Sequence, residues 1–280
     1  MESMVPVQDF SAALRCRMSE SSASLDGIKA VFLDLDGTIY LGSNLIEGAQ
    51  SFLERLEERG IMRFFLSNNS SKSVSQYLEK LQALGIPATA DEVLLSTHDL
   101  ISWLAENGIE RSYLVGTDGM REMLESAGIS TDSDEPQYVI LGYDTEITYE
   151  KLSTASIHLH RGVPMVASHP DVVCPSPDGG LPDTGAYMDL FEATTGVRPE
   201  HICGKPNAGM ILHKVEELGL RPDQCAMVGD RLYTDIEMAE RAGVHGVLVL
   251  SGEATMQDLE AAPQNPSIVV NSVAELCRGN

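Results

Sequence analysis

The sequence predicts an α/β fold with mostly parallel strands, and three observations predict it. Short apolar runs alternate with longer amphipathic segments along most of the chain, the pattern of strand–helix–strand units. Glycines close many of the amphipathic segments, as helix C-termini require. Acidic and polar residues gather where apolar runs stop, and in such sheets ligands bind beyond the carboxyl ends of the strands. At 280 residues the chain is long enough for a substantial core, in one large domain or two of ordinary size.

The elements follow in order. Val31–Leu35 reads as a buried strand that runs into Asp34, Asp36, Gly37 and Thr38. In the segment after it, Phe52, Leu53 and Leu56 share one helical face and Gly60 ends it. "IMRFFLS" is a second strand, and it stops at the polar run Ser67–Ser71. "SVSQYLEKLQALG" is helical, with Val74, Tyr77, Leu78 and Leu81 on a face, and "DEVLLS" is a third strand. The alternation continues through "THDLISWLAENG", "SYLVG", "GMREMLESAG", "YVILG", "TYEKLSTASIHLHRG" and "PMVAS". It breaks at His169–Gly185, a stretch rich in proline and glycine that reads as a long loop, the kind often used for function. "AYMDLFEATTG" and "GMILHKVEELG" are helices, "CAMVGD" is a strand, "DIEMAERAG" a helix and "GVLVLSG" a strand.

Bulk properties narrow the function. The formal net charge is −23, which repels phosphate polymers and anionic membranes and argues against nucleic acid and membrane as partners. A small anionic substrate is still allowed, because a cation and a few donors can invert the field locally. No apolar run approaches the ~20 residues of a membrane span. The first 28 residues lack the apolar stretch of a signal peptide and read as an N-terminal extension. The five cysteines, Cys16, Cys174, Cys203, Cys225 and Cys277, are scattered and form no C-x-x-C pair. Reduced thiols and a cytoplasmic setting are the expectation.

Four clusters at strand ends carry the chemistry: Asp34, Asp36, Gly37 and Thr38; Ser67, Asn68 and Asn69; Gly204, Lys205, Pro206 and Asn207; and "VGDRLYTDI" with Asp230 and Asp235. Each alone has a plain structural reading as a turn, a helix cap or a solvated charge. Together they describe a phosphoryl-transfer site. Asp34 and Asp230, from two strand ends, suit a hard cation such as Mg²⁺. A hydroxyl, an amide and a lysine suit phosphate oxygens. A carboxylate can attack phosphorus, and a second acid two residues on can handle the proton.

"DLDGT", "LSNNSS", "GKP" and "VGDRLYTDI" occur in the order of the haloacid dehalogenase (HAD) superfamily, and the chain resembles its phosphatase subgroup that includes NagD and p-nitrophenyl phosphatase. "GYDTEITYEKL" and "GAYMDLFEATTG" are further matches. The resemblance runs from about Ala30 to about Gly252. It implies a Rossmann-like core and an inserted α/β cap of the C2 type, with the core at 29–97 and 198–280 and the cap at 98–197. It implies that Asp34 is the nucleophile that forms an aspartyl-phosphate. Asp36 is then the general acid and base, with its backbone carbonyl on the metal. Ser67 and Asn68 hold the phosphoryl group, and Lys205 offsets charge. Asp34, Asp36 and Asp230 ligate Mg²⁺, and Asp235 acts through a metal-bound water. Threonine is commoner than Ser67 in the family; serine keeps the hydroxyl.

The expected activity is a Mg²⁺-dependent phosphomonoesterase acting on a small phosphorylated metabolite, such as a sugar phosphate or a nucleoside monophosphate. The alternative is a regulatory, phosphate-binding HAD-like protein without turnover. A signalling receiver domain fits poorly, because the acceptor is on the first strand and the chain is too long. A homodimer through the cap follows only by analogy. Related sequences show N-P-D and P-G-x-G in the loop, where this chain has His169-Pro170-Asp171 and Pro182-Asp183-Thr184-Gly185. His169 and Asp183 are therefore the candidates for substrate selection. His158 and His160, two apart on a helix, do not face one another and make no metal site. Trp103 reads as packing, and "VGTDGMRE" lacks the lysine of a phosphate loop.

Overall fold

A computed structural model describes residues 24–176 and 179–277. Most of the N-terminal extension therefore lies outside the described residues. Fourteen strands appear among them: β1 (Ala30–Asp34), β2 (Tyr40–Leu41), β3 (Asn44–Leu45), β4 (Met62–Ser67), β5 (Val93–Leu95), β6 (Ser112–Val115), β7 (Tyr138–Leu141), β8 (Met165–Ala167), β9 (Val173–Cys174), β10 (Leu181–Pro182), β11 (His201–Ile202), β12 (Cys225–Gly229), β13 (His245–Val249) and β14 (Ile268–Val270). The chain divides into two compact units, one of residues 1–63 with 221–280 and the other of 64–220.

In the first unit, β1, β12, β13 and β14 pair in parallel, with β12 between β1 and β13. The start of β4 joins on the other side of β1, where Met62 N donates to Lys29 O at 2.9 Å. β1 and β12 are buried on both faces, so they read as unbroken apolar runs. The helix Ala49–Glu58 buries Ala49, Phe52, Leu53 and Leu56, the spacing of one helical stripe. Leu25, in the last part of the expected extension, is also buried, and Arg59 pairs with Asp26 at 2.9 Å.

The second unit holds the remainder of β4, paired in parallel with β5, and a four-stranded parallel sheet in the order β11-β8-β7-β6. Two apolar clusters cover that sheet. One is built on Leu100, Leu104, Leu114, Leu124 and Ile140, the other on Val115, Val139, Leu159, Met188 and Phe191. Trp103 belongs to the first, edge-on to Tyr138 and stacked on His201. Asp144 and Lys151, from "GYDTEITYEKL", form a partly buried ion pair of 2.9 Å, and Lys151 also donates to Gly116 O. That stretch therefore braces the sheet.

The chain is α/β with mostly parallel strands, as its alternation predicts. The differences fall on short or polar pieces. The stretch His169–Gly185 is not all loop: β9 and β10 form an antiparallel hairpin, Leu181 opposite Cys174 and Pro182 opposite Val173. Two-residue strands are too short to show any periodicity. β2–β3, β11, β14 and the helix Met256–Ala261 are likewise additional to the sequence reading. Among the described residues no helix is long and apolar enough to cross a membrane.

Candidate active site

The register of β1 against β12 decides where the first acids meet. Leu33 lies opposite Val228, so Asp34 and Asp230 follow at the carboxyl ends of adjacent parallel strands. After β12 the chain makes a widened helical turn, Leu232–Ile236, before the helix Glu237–Ala242. Asp235 N and Ile236 N both donate to Arg231 O, at 3.0 and 3.2 Å. This π-type turn, a form frequent at functional sites, carries Asp235 back towards the strand end. Asp34, Asp230 and Asp235 each offer a carboxylate oxygen, and these oxygens lie within 4.8 Å of one another.

The electrostatics of this set are strained. Asp230 and Asp235 are buried and Asp34 is half-buried. Asp230 Oδ2 accepts from Glu253 N at 2.7 Å, but Asp230 Oδ1 is buried with no hydrogen-bond partner among the described residues. Burial, and then the Asp34 and Asp235 carboxylates, push the Asp230 carboxyl from its ordinary 3.8 up to about 7. Arg231 answers only in part. Burial works against its charge, yet Asp34, Glu253 and Asp230 hold its guanidinium above the usual range, and Glu253 pairs with it at 3.0 Å.

Backbone closes tightly around these carboxylates. A Cβ at Gly37 or at Gly252 would overlap Asp230 Oδ2, and one at Gly229 would overlap the Asp235 carboxylate. Gly37 also has φ 90°, which favours glycine independently. Ser251 Oγ donates to Gly37 O at 2.8 Å and ties the two approaching segments together. An unpartnered buried oxygen among three close carboxylates, in a cradle made by three glycines, fits a small hard cation with oxygen ligands. The side chain of Asp36 is not among the clustered carboxylates; it is exposed, beside the turn in which Gly37 N donates to Tyr40 O.

In the second unit the polar residues after β4 meet the Gly204–Lys205 segment. Ser67 Oγ lies 2.7 Å from Tyr77 OH and accepts from Asn69 N at 3.2 Å. The Asn68 side chain is fully committed. Its Oδ1 accepts from Lys205 N at 2.7 Å, and its Nδ2 donates to Lys205 O at 2.9 Å and to Asp171 Oδ2 at 3.1 Å. The Asn68 amide thus holds the backbone of Lys205, whose peptide bond to Pro206 is cis. Gly204 N donates to Asp99 Oδ2 at 2.9 Å, and Ser96 Oγ donates to Asn68 O at 2.7 Å. Burial raises the Asp99 carboxyl, and the Gly204 N–H counteracts it. A Cβ at Gly204 would come within 2.7 Å of Asn68 Oδ1, so only glycine lets the two segments approach.

His169 and Asp183, the residues expected to select substrate, are brought together and buried. His169 Nε2 is 2.9 Å from Asp183 Oδ1, and its Nδ1 is 2.9 Å from Ser168 Oγ. Asp183 Oδ1 also accepts from Thr184 N at 2.6 Å, at the start of the helix Thr184–Thr195. Both ring nitrogens are engaged inside the protein. His158 is buried beside Tyr113 and His160 is exposed, so the H-x-H does not converge. "VGTDGMRE" is a helix cap: Thr117 Oγ1 accepts from Met120 N at 3.3 Å. Asp99, Asp171 and Tyr77 are absent from the sequence reading of the site. Only the Asp171 carboxylate lay within a stretch already singled out, the H-P-D triplet.

Known proteins resemble the chain over most of its length. The profile of haloacid dehalogenase-like hydrolases matches residues 31–130, and that of a further HAD hydrolase-like group matches 202–276. The chain is 36% identical, over 83% of its length and 90% of the relative's, to an acid sugar phosphatase of Staphylococcus aureus. Among solved structures it resembles the 4-nitrophenylphosphatase of Thermotoga maritima, with TM-score 0.87 and 39% identity over 91% of this chain and 98% of that one. It also resembles the glycerol phosphate phosphatase of Mycobacterium tuberculosis solved with magnesium, with TM-score 0.84 and 27% identity over 91% and 78%. With a strand-end carboxylate set and a braced lysine on an α/β frame, and with phosphatases as its named relatives, the chain belongs to the haloacid dehalogenase-like hydrolases, in their NagD and nitrophenylphosphatase subgroup.

Proposed function

We propose that the chain is a Mg²⁺-dependent phosphomonoesterase that releases phosphate from a small phosphorylated metabolite through an aspartyl-phosphate on Asp34. One observation supports the reading: three carboxylates at two neighbouring strand ends crowd within 4.8 Å, and one buried oxygen among them has no partner among the described residues. A fold does not accept that cost without a ligand to offset it. A polyol or sugar phosphate is the favoured substrate, because relatives are named as acid sugar and glycerol phosphate phosphatases.

In this reading Asp34 Oδ attacks phosphorus as the bond to the leaving oxygen breaks. Asp36, two residues on and in contact with solvent, gives that oxygen a proton and departs as the base. It then takes a proton from water, which attacks phosphorus and frees Asp34 and inorganic phosphate. The Ser67 hydroxyl donates to the phosphoryl group, and the Lys205 ammonium offsets its negative charge. Asp34, Asp230 and Asp235, with the Asp36 carbonyl, would hold Mg²⁺, which when bound supplies neutralisation of the carboxylates and the phosphoryl oxygens. The Asn68 side chain supports Lys205, and the cap of about 98–197 selects the leaving group. The free thiols Cys174, Cys203 and Cys225 fit a cytoplasmic setting.

Phosphate release from a panel of monoesters, with Mg²⁺ and with EDTA, tests the proposal. Metal-dependent multiple turnover is expected. Cation binding without turnover of any ester would instead favour a phosphate-binding role.

A further inference from the structure

The Ser67 hydroxyl, at the end of β4, is held from two sides. Asn69 N donates to its Oγ at 3.2 Å, and Tyr77 OH lies 2.7 Å from the same atom. Tyr77 stands near the start of the helix Val74–Ala83 and, with Leu81, makes its buried face. Only 4% of the tyrosine is exposed. Phenylalanine would serve to bury a ring there. A phenol gives up its hydration as well and needs a partner for its hydroxyl. This one is aimed at the strand end where Ser67 lies.

The helix is fixed in place around that contact. Ser73 N donates to Gln76 Oε1 at 2.9 Å, and Tyr77 N donates to Ser73 O at 3.2 Å, which closes the first turn. Thr117 Oγ1 donates to Ser71 O at 2.8 Å, just ahead of the turn. Gly119 packs on the same turn, where a Cβ would come within 2.7 Å of Gln76 Oε1 and 2.9 Å of Ser73 N. The phenol therefore has a set position relative to Ser67.

A serine hydroxyl has one proton and two acceptor lone pairs. Asn69 N takes one of the pairs. If Ser67 gave its proton to Tyr77, its remaining lone pair would face outward and repel a phosphoryl oxygen. If Tyr77 gives its proton to Ser67, both pairs are filled and the serine proton is what remains to be presented. A phenol is the more acidic of the two hydroxyls, which favours the second order. A hydroxyl that accepts a bond is also polarised into a stronger donor. Serine turns more freely about χ1 than a β-branched residue does, so the bonds to Oγ select its rotamer too.

We infer that Tyr77 is a positioning residue for the phosphoryl group: its phenol donates to Ser67 Oγ and so commits the Ser67 hydroxyl to donating outward. This rests on the phosphomonoesterase reading, in which Ser67 holds that group. Tyr77 touches no substrate atom and acts only through the serine.

The test is a cycle of Tyr77→Phe, Ser67→Ala and the double variant, each assayed for kcat/KM on 4-nitrophenyl phosphate and for inhibition by inorganic phosphate. The Phe variant keeps the ring and its packing, and urea unfolding of all three variants checks that they are folded. With Ser67 present, Tyr77→Phe should lower kcat/KM about 10-fold and weaken phosphate inhibition in parallel, the scale of one well-placed hydrogen bond. In the Ser67→Ala background the same change should cost less than about 2-fold, because the group it acts through is gone. An equal loss in both backgrounds would show that Tyr77 acts through packing and overturns the inference. So does no loss in either. Both of these outcomes leave the phosphatase reading standing, whereas no Mg²⁺-dependent turnover of any ester by the wild type overturns that reading and the inference with it.

Discussion

The Asp34–Asp230–Asp235 set and the Asn68–Lys205 clasp are both polar, both largely buried and both made at strand ends, yet they are built on opposite rules. In the clasp every polar atom of the Asn68 side chain has a partner inside the protein. In the carboxylate set three acidic side chains are pressed together by glycines, and Asp230 Oδ1 has no partner among the described residues. A saturated network fixes geometry, and its removal loses position. An unsaturated one awaits a ligand, and its removal loses chemistry. The contrast separates residues that react from residues that hold, which a motif match alone does not.

The largest effect should follow from the half-buried member of the unsaturated set. Asp34→Asn removes the attacking oxygen and should lower kcat by about 10⁴-fold or more, the scale seen when a nucleophile is deleted. The fold should survive, and the metal-free variant should be no less stable than the wild type, because one of three repelling charges is gone. Steady-state phosphate release and thermal unfolding in EDTA measure the two halves. A variant at wild-type rate would remove Asp34 from the mechanism.

Asn68→Ala attacks the saturated network. It removes three hydrogen bonds at once, two of them to Lys205 N and O. The cost should be about 2–4 kcal/mol of stability and about 100-fold in kcat, the scale of a displaced catalytic group. Mg²⁺ affinity, measured by calorimetry, should change little, because the hydrogen bonds of the Asn68 side chain go to Lys205 and Asp171 and not to the clustered carboxylates. A variant that lost Mg²⁺ affinity as strongly as turnover would erase the distinction drawn here between holding and reacting residues.

How much of this was legible in the sequence follows from the same contrast. The carboxylates at the ends of β1 and β12 could be read because apolar strands advertise where they stop, and an acid just past such a run is conspicuous. That Asp230 lacks a partner for one oxygen could not be read, since it depends on glycines at 37 and 252, far apart in sequence. The Pro- and Gly-rich composition of 169–185 marked a functional stretch. It could not show which side chains turn inward: His169 and Asp183 bury each other, while Asp171 is half-buried and bonded to Asn68. Asp99, which receives Gly204 N across 105 residues, left no local signal. The fold was legible through its alternation, except where elements were too short to have a period, as in β2–β3 and β9–β10.

The strain in the carboxylate set also sets a pH dependence. The Asp230 carboxyl is raised from 3.8 to about 7 in the folded, metal-free protein. Between those values the folded state holds a proton that the unfolded state has lost. Stability from this group is thus full below pH ~4 and declines as pH rises through about 7, by a few kcal/mol in all. Mg²⁺ should reverse the trend, because the cation needs the ionised form and displaces that proton. Urea unfolding at pH 5 and pH 8, with EDTA and with Mg²⁺, would show it, as would proton release on titration with metal. A metal-free protein equally stable at both values would show that the crowding of Asp34, Asp230 and Asp235 is relieved by something other than protonation.

The smallest effect concerns the buried pair of His169 and Asp183. Asp183→Ala removes the acceptor of Thr184 N at the start of the helix Thr184–Thr195 and leaves His169 Nε2 with Thr184 Oγ1 alone, at 3.2 Å. The loss should be about 1–3 kcal/mol, the sum of a helix cap and a buried hydrogen bond, read as a lower midpoint in urea. Turnover at saturating substrate should fall less than 10-fold at a temperature where the variant is folded. Its ratio of turnover on a polyol phosphate to turnover on an aryl phosphate should stay close to that of the wild type, because both side chains of the pair are bonded inside the protein. If Asp183→Ala changed that ratio while keeping its stability, the buried pair would be a recognition element in its own right and not a support of the fold.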